Sequence, residues 1–162
     1  MDIFIKTKKV KQLTALLSIC SLLISCGSNN KVSDSSTNQL MGSWKLLTGT
    51  LIEKKDTTVT DYTKNTSFIK IINDSHFAFL QHDLKKGKDT AAVFVAGGGA
   101  YTLKGNQYTE HLQYCSAREW EGNDFTFTVN LKGDTLIQKG IEKVDSLGIN
   151  RLNVERYIRL TK

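Results

Sequence analysis

This chain lacks most of the features by which a sequence declares its chemistry. Its 22 Lys and Arg side chains against 16 Asp and Glu give a net charge of +6, yet no dense basic block occurs. A nucleic-acid binder normally concentrates cations on one face or stripe, so that class is excluded. The longest mainly apolar stretch, Leu13–Ile24, has twelve residues, against the roughly 20 that a membrane-spanning helix needs. No Gly-x-Ser-x-Gly elbow or calcium loop is present. The run Gly97-Gly98-Gly99 is not followed by the Gly-Lys-Ser/Thr of a phosphate loop. No catalytic residue is therefore assigned, the chain is not read as an enzyme, and no cofactor is expected.

A metal site is equally hard to build. His76 and His82 would sit on one face of one strand, but six residues place them about 20 Å apart. His111 and Cys115 would lie about 13 Å apart on another strand. Zinc ligands must all approach one ion to about 2.0–2.3 Å. No metal ligand is assigned.

The amino terminus is the most explicit part of the sequence. Lys6, Lys8, Lys9 and Lys11 precede the apolar stretch, which ends in Leu23-Ile24-Ser25-Cys26. Too short to span a membrane, this segment has the layout of a cleaved signal. The ending resembles the lipobox of bacterial lipoproteins, which implies cleavage before Cys26 and lipidation of its thiol and new amine. Each buried acyl methylene contributes about 0.8 kcal/mol, so several chains anchor firmly. The expected organisation is a signal peptide over 1–25, a lipidated cysteine and flexible tether over 26–39, and one folded domain over 40–162. As a flexible coil, the tether would hold its ends roughly 20 Å apart. Gly27 stands where enteric lipoproteins carry an inner-membrane retention aspartate, and the first acidic residue after Cys26 is Asp34. The expected address is the outer membrane, facing the periplasm. Cleavage would remove Cys20 and four lysines, leaving a net charge near +3 and Cys115 as the one free cysteine. With no disulfide possible, stability must come from core and sheet, and Cys115 reads as a small apolar side chain.

From residue 40 onward the pattern is β. Runs beginning near Trp44, Ser67, His76, Ala91, Ala100, Gln107, Asp124, Thr135 and Leu152 read as about nine strands, with hairpin signals at Gly105-Asn106 and Gly133-Asp134. Asp56–Asn65 reads as a polar loop, and Ala117–Asn123, with Trp120, as a longer loop holding at most a helical turn. The glycine triplet lets a strand bend or approach a neighbour closely. A meander of this kind is expected to close into a single antiparallel up-and-down barrel, which removes unpaired edges.

Gly42-Ser43-Trp44 resembles the Gly-x-Trp signature of lipocalins, and Arg159 resembles the arginine that packs over that tryptophan in the calycin superfamily. The ordered blocks Ala96–Leu103, Gly105–His111, Phe125–Phe127, Gly133–Leu136 and Glu155–Arg159 resemble a lipocalin-like family common in Bacteroidetes. Three Asp-Thr motifs, at Asp56, Asp89 and Asp134, resemble that group's O-glycosylation sites. The resemblance implies a small-ligand-binding barrel, expected as a monomer. Alternation puts Tyr101 on the inward face, Tyr108, Glu110, Leu112 and Tyr114 on a second strand, and Phe125 and Phe127 on a third. On the last strand periodicity alone would turn Leu152, Val154, Ile158 and Leu160 inward. The family pattern instead places Glu155, Tyr157 and Arg159 there, and is preferred because ligand-binding barrels keep polar groups inside.

The candidate lumen residues are thus Tyr101, Tyr108, Glu110, Leu112, Tyr114, Phe125, Phe127 and Tyr157, with Gly42, Trp44 and Arg159 as structural signature and Cys26 as the lipidation site. The expected partners are a membrane, reached through the lipid anchor, and a small apolar or amphipathic ligand. An ionised Glu110 would favour an alcohol, amide, amine or sterol-like ligand over a fatty acid, unless the arginine neutralises it. The competing readings are an interaction module acting through the barrel exterior, as lysozyme-inhibitor lipoproteins do, and an isomerase or cyclase with Glu110 as base.

Overall fold

The computed structural model describes residues 39–88, 90 and 92–161, all within one unit of the chain, Val32–Lys162. The expected signal peptide, Cys26 and all of the expected tether but Gln39 lie outside the described residues. Ten strands follow in order: β1 (Gly42–Glu53), β2 (Asp56–Asp61), β3 (Thr66–Ile72), β4 (His76–Asp83), β5 (Phe94–Lys104), β6 (Gln107–His111), β7 (Tyr114–Cys115), β8 (Asp124–Lys132), β9 (Thr135–Val144) and β10 (Ile149–Arg159). Short 3₁₀ turns occupy Arg118–Trp120 and Asp145–Leu147.

β1 pairs with both β3 and β10, closing an eight-stranded antiparallel barrel of β1, β3, β4, β5, β6, β8, β9 and β10. β2 and β7 lie outside the ring, paired to β1 and β5. This is the up-and-down barrel that the meander of strands implied, and it is consistent with the lipocalin-like architecture that the resemblance implied. β2 and β5 both depart from the sequence pattern. The Asp56–Asp61 segment is not loop but a fully exposed hairpin partner of β1, because Lys54 takes the left-handed conformation (φ 55°) that a tight turn needs. The expected breaks around Gly97-Gly98-Gly99 do not occur, and β5 runs through them.

The triplet works by close approach. A Cβ at Gly99 would stand 1.9 Å from the His111 carbonyl oxygen, and one at Gly98 2.5 Å from that of Phe77. A side chain there would push neighbouring backbone away. The expected two-residue hairpins form as read, with Lys104 opposite Gln107 and Lys132 opposite Thr135, and Gly105 and Gly133 both at positive φ. The Asn73 carboxamide accepts hydrogen bonds from the backbone N–H groups of Ser75 (2.9 Å) and His76 (2.6 Å), setting the β3–β4 turn.

One end of the barrel is sealed. Trp44 is fully buried, opposite Arg159 in the β1–β10 register, and the guanidinium carbon stands 4.0 Å from the indole ring centre. A cation so placed on indole gains about 0.5–2 kcal/mol. The indole N–H donates to the Leu40 carbonyl at 2.9 Å, and Arg159 donates to the Met41 and Gln39 carbonyls. The chain entering β1 is thus tied across the floor, with Leu40 buried beneath it. Gly42 explains the first letter of its motif. Its φ of +138° suits glycine, and an added Cβ would fall 2.5 Å from an Arg159 guanidinium nitrogen.

Removing the indole should therefore cost about 3–5 kcal/mol, as large-to-small core changes do. Arg159→Ala should cost less, with non-additive coupling in a double-mutant cycle. Urea unfolding of the three variants checks this, and a Trp44→Ala protein within about 0.5 kcal/mol of wild type would contradict the sealed floor.

Candidate functional site

Inside the barrel the side chains fall into three tiers. Lowest are Trp44, Leu46, Ile72, Tyr101, Tyr108 and Leu136, all buried. The Tyr101 and Tyr108 rings pack 5.1 Å apart, and the Tyr101 hydroxyl donates to the Asn73 carbonyl at 2.8 Å. This tier is solid packing.

Above it lies a polar layer centred on a lysine. Lys70 lies between Phe68 and Ile72 on the inward face of β3 and is 2 % exposed. Its ammonium reaches across the lumen to Glu110 Oε1 on β6 at 2.6 Å and donates to Gln138 Oε1 on β9 at 3.1 Å. Glu155 Oε2 on β10 stands farther off, at 3.9 Å. The Tyr157 hydroxyl donates to that same Glu155 oxygen at 2.7 Å. Burial alone would lower the lysine pKa, but Glu110 and Glu155 outweigh it and hold it above the usual value. Burial raises the Glu110 pKa, and Lys70 offsets that only in part. Tyr108 and Tyr157 are driven well above 10, first by burial and then by the nearby carboxylates. The Tyr108 hydroxyl makes no hydrogen bond of good geometry among the described residues, although it feels the Glu110 charge.

The third tier holds a cavity of about 160 Å³. Lys70, Glu110, Gln138, Glu155 and Tyr157 form its polar side, and Phe68, Phe79, Leu112, Phe125, Phe127 and Trp120 its apolar walls. Trp120 comes from the 3₁₀ turn between β7 and β8. That loop is held where Glu121 accepts the Cys115 backbone N–H at 2.7 Å, and the indole packs 5.9 Å from the Phe125 ring. Toward the β9–β10 end, Glu142 also lines the cavity and is pinned by Arg151 (2.8 Å) and Asn153 (2.7 Å). The Arg151 guanidinium lies 5.3 Å from the Trp120 ring centre.

The structure brings Glu110, Leu112, Phe125, Phe127 and Tyr157 together around this cavity. Tyr101 and Tyr108 are buried but sit in the packed tier below. Tyr114 is a correction: it does not face the lumen and is 70 % exposed. The alternation breaks after His111, where Leu112 donates to the Asn123 carbonyl and Gln113 to that of Gly98, so β7 starts afresh along β5 and turns Tyr114 outward. Cys115 thereby reaches the cavity wall. On β10 Asn153 and Tyr157 are buried and Glu155 lines the cavity, while Leu160 is exposed. Alternation on its own missed Lys70, Gln138, Glu142 and the Phe68–Phe79 wall. The available signal was Phe68-x-Lys70-x-Ile72, a lysine sharing parity with two apolar neighbours.

Among the described residues no group of three or more His, Cys, Asp or Glu side chains is placed to hold a metal ion. His111 instead meets Asp124 at 2.8 Å on the barrel exterior. No protein-family model matches the chain, and no curated protein matches it.

The Lys70–Glu110 pair generates a prediction. A carboxyl whose folded pKa is raised stabilises the fold below its unfolded value, about 4.3, and gives that up as pH rises through the folded value. Lys70→Met removes the opposing charge, so the folded pKa climbs and the loss grows. The variant should be destabilised by about 3–5 kcal/mol at pH 8 and by less at pH 4. Lys70→Met/Glu110→Leu should recover most of the difference. Urea unfolding at both pH values checks this, and a single variant as stable as wild type at pH 8 would overturn it.

Proposed function

We propose that this protein is a lipid-anchored component of the bacterial cell envelope whose lipocalin-like barrel binds or carries a small, largely apolar ligand. The observation that supports it is the cavity of about 160 Å³, walled by aromatic rings and bounded on one side by fixed polar groups. Ligand sites commonly combine apolar walls with a few well-placed polar groups. Here Glu110, Gln138 and Tyr157 are held by their own hydrogen bonds, so they present a preorganised surface.

Size narrows the ligand. An engineered cavity of about 150 Å³ in another protein takes benzene, so this one suits a molecule of about six to ten heavy atoms. A sterol or a full acyl chain exceeds that volume. The apolar walls supply affinity at about 25 cal/mol per Å² of surface buried.

The anchor rests on the Cys26 lipobox, and the expected address is the periplasmic face of the outer membrane. Cys26→Ser should abolish labelling by a clickable fatty acid and leave an unprocessed precursor. Equal labelling of the variant would contradict the anchor.

For the lumen, the full chain in lipid nanodiscs is titrated with toluene and benzyl alcohol while tryptophan fluorescence is followed, since Trp120 lines the site. Saturable binding is expected, and Leu112→Trp, which fills the cavity, should weaken it at least tenfold while the protein still unfolds cooperatively. Absence of saturable binding by the folded wild type would favour the interaction module instead. Phe94 and Tyr114, 69 % and 70 % exposed on neighbouring strands, would then be the first residues to test.

A further inference from the structure

We infer that the ligand of the barrel lumen is a small organic cation, an amine carrying a compact apolar body, with its charged head on Glu155. The inference rests on the lumen being a ligand site, as proposed above, and comes from counting its charges.

Five ionisable side chains of opposite sign are gathered at the cavity and its rim. Lys70 is matched to Glu110 at 2.6 Å, and Arg151 to Glu142 at 2.8 Å. Glu142 is further satisfied by Asn153 at 2.7 Å. Glu155 is left over. Its partners among the described residues are the Tyr157 hydroxyl at 2.7 Å and, more loosely, Lys70 at 3.9 Å, whose nearest anion is already Glu110. Three carboxylates therefore share two cations, and the carboxylate without a cation of its own lines the cavity, with its side chain 16 % exposed. A buried anion is costly unless compensated, and a ligand cation placed beside it supplies the missing charge. An anionic ligand would add a fourth negative charge in the same small volume.

The walls point the same way. Phe68, Phe79, Phe125 and Phe127 line the cavity, and among the described residues no cation stands over any of these four rings. The protein's own cations already use the neighbouring rings: Lys70 lies 5.4 Å from the centre of Tyr157, and Arg151 lies 5.3 Å from that of Trp120. Aromatic faces around a carboxylate form the surroundings in which ammonium groups are recognised. The buried Tyr108 hydroxyl stands close enough to Glu110 and Glu155 to feel both charges.

The test uses four probes of nearly one size on the full chain in nanodiscs: benzylamine, benzyl alcohol, toluene and benzoate, each titrated by tryptophan fluorescence and by isothermal calorimetry. Benzylamine should bind at least tenfold more tightly than benzyl alcohol, and benzoate should not bind measurably. In Glu155→Gln the benzylamine advantage over benzyl alcohol should vanish, and cooperative urea unfolding shows that the variant is folded. If the variant does not fold, the wild-type ranking alone decides. Equal binding of benzylamine, benzyl alcohol and toluene, or preference for benzoate, would overturn the cation while keeping the lumen as a site. If none of the four binds, the ligand-binding reading itself falls.

Discussion

The barrel is organised around one buried ammonium group. Lys70 lies at the centre of a sheet core, where an unpaired charge would be prohibitive. It is tolerable because Glu110 and Gln138 reach it from two other strands. This requirement links strands far apart in sequence: 40 residues separate Lys70 from Glu110, and 68 separate it from Gln138. Satisfying the lysine fixes how β3, β6 and β9 face one another across the lumen. It also divides the interior, with solid aromatic packing on the Trp44 side and a cavity on the other. Replacing such a pair with apolar residues is often neutral or stabilising in proteins. Its presence in the middle of a small barrel is therefore better explained by the polar surface it offers to the cavity than by stability.

The closed end depends on a different device. Arg159 on the last strand covers the indole of the first, and the glycine two residues before that tryptophan makes room for the guanidinium. The three residues together join the two ends of the sheet and tie down the chain entering it. That leaves the opposite end, with its longer loops and Trp120, as the end at which shape can vary without reopening the barrel.

Much of this was legible in the sequence because strand alternation has a period of two. Phe125 and Phe127, and Tyr108 and Glu110, follow from it, while the hairpins follow from their turn residues, Gly105-Asn106 and Gly133-Asp134. Alternation misread β10, whose Leu152, Val154 and Ile158 lie on the face opposite to the buried Asn153 and Tyr157. There Leu152 stands between Ile52 on β1 and Ile141 on β9, a cross-strand apolar row on the barrel's outer surface. Such a row has the same periodicity as a core, and the resemblance to lipocalin-like sequences, with polar residues inward, resolved the choice. It also misread Tyr114, because an irregular step after His111 resets the phase, and no residue type at that step announces it. Lys70 escaped for a further reason: which carboxylate it meets depends on strand order and register, and these are set by closure of the whole sheet.

The central claim is that the lumen holds a small molecule, and native mass spectrometry of the protein extracted from the cells that make it tests it most directly. The account predicts a non-covalent adduct of roughly 80–150 Da, the mass range of about six to ten heavy atoms with their hydrogens, on wild type and not on Leu112→Trp. A wild-type protein that carries no such adduct, or carries the same adduct with the cavity filled, would contradict it.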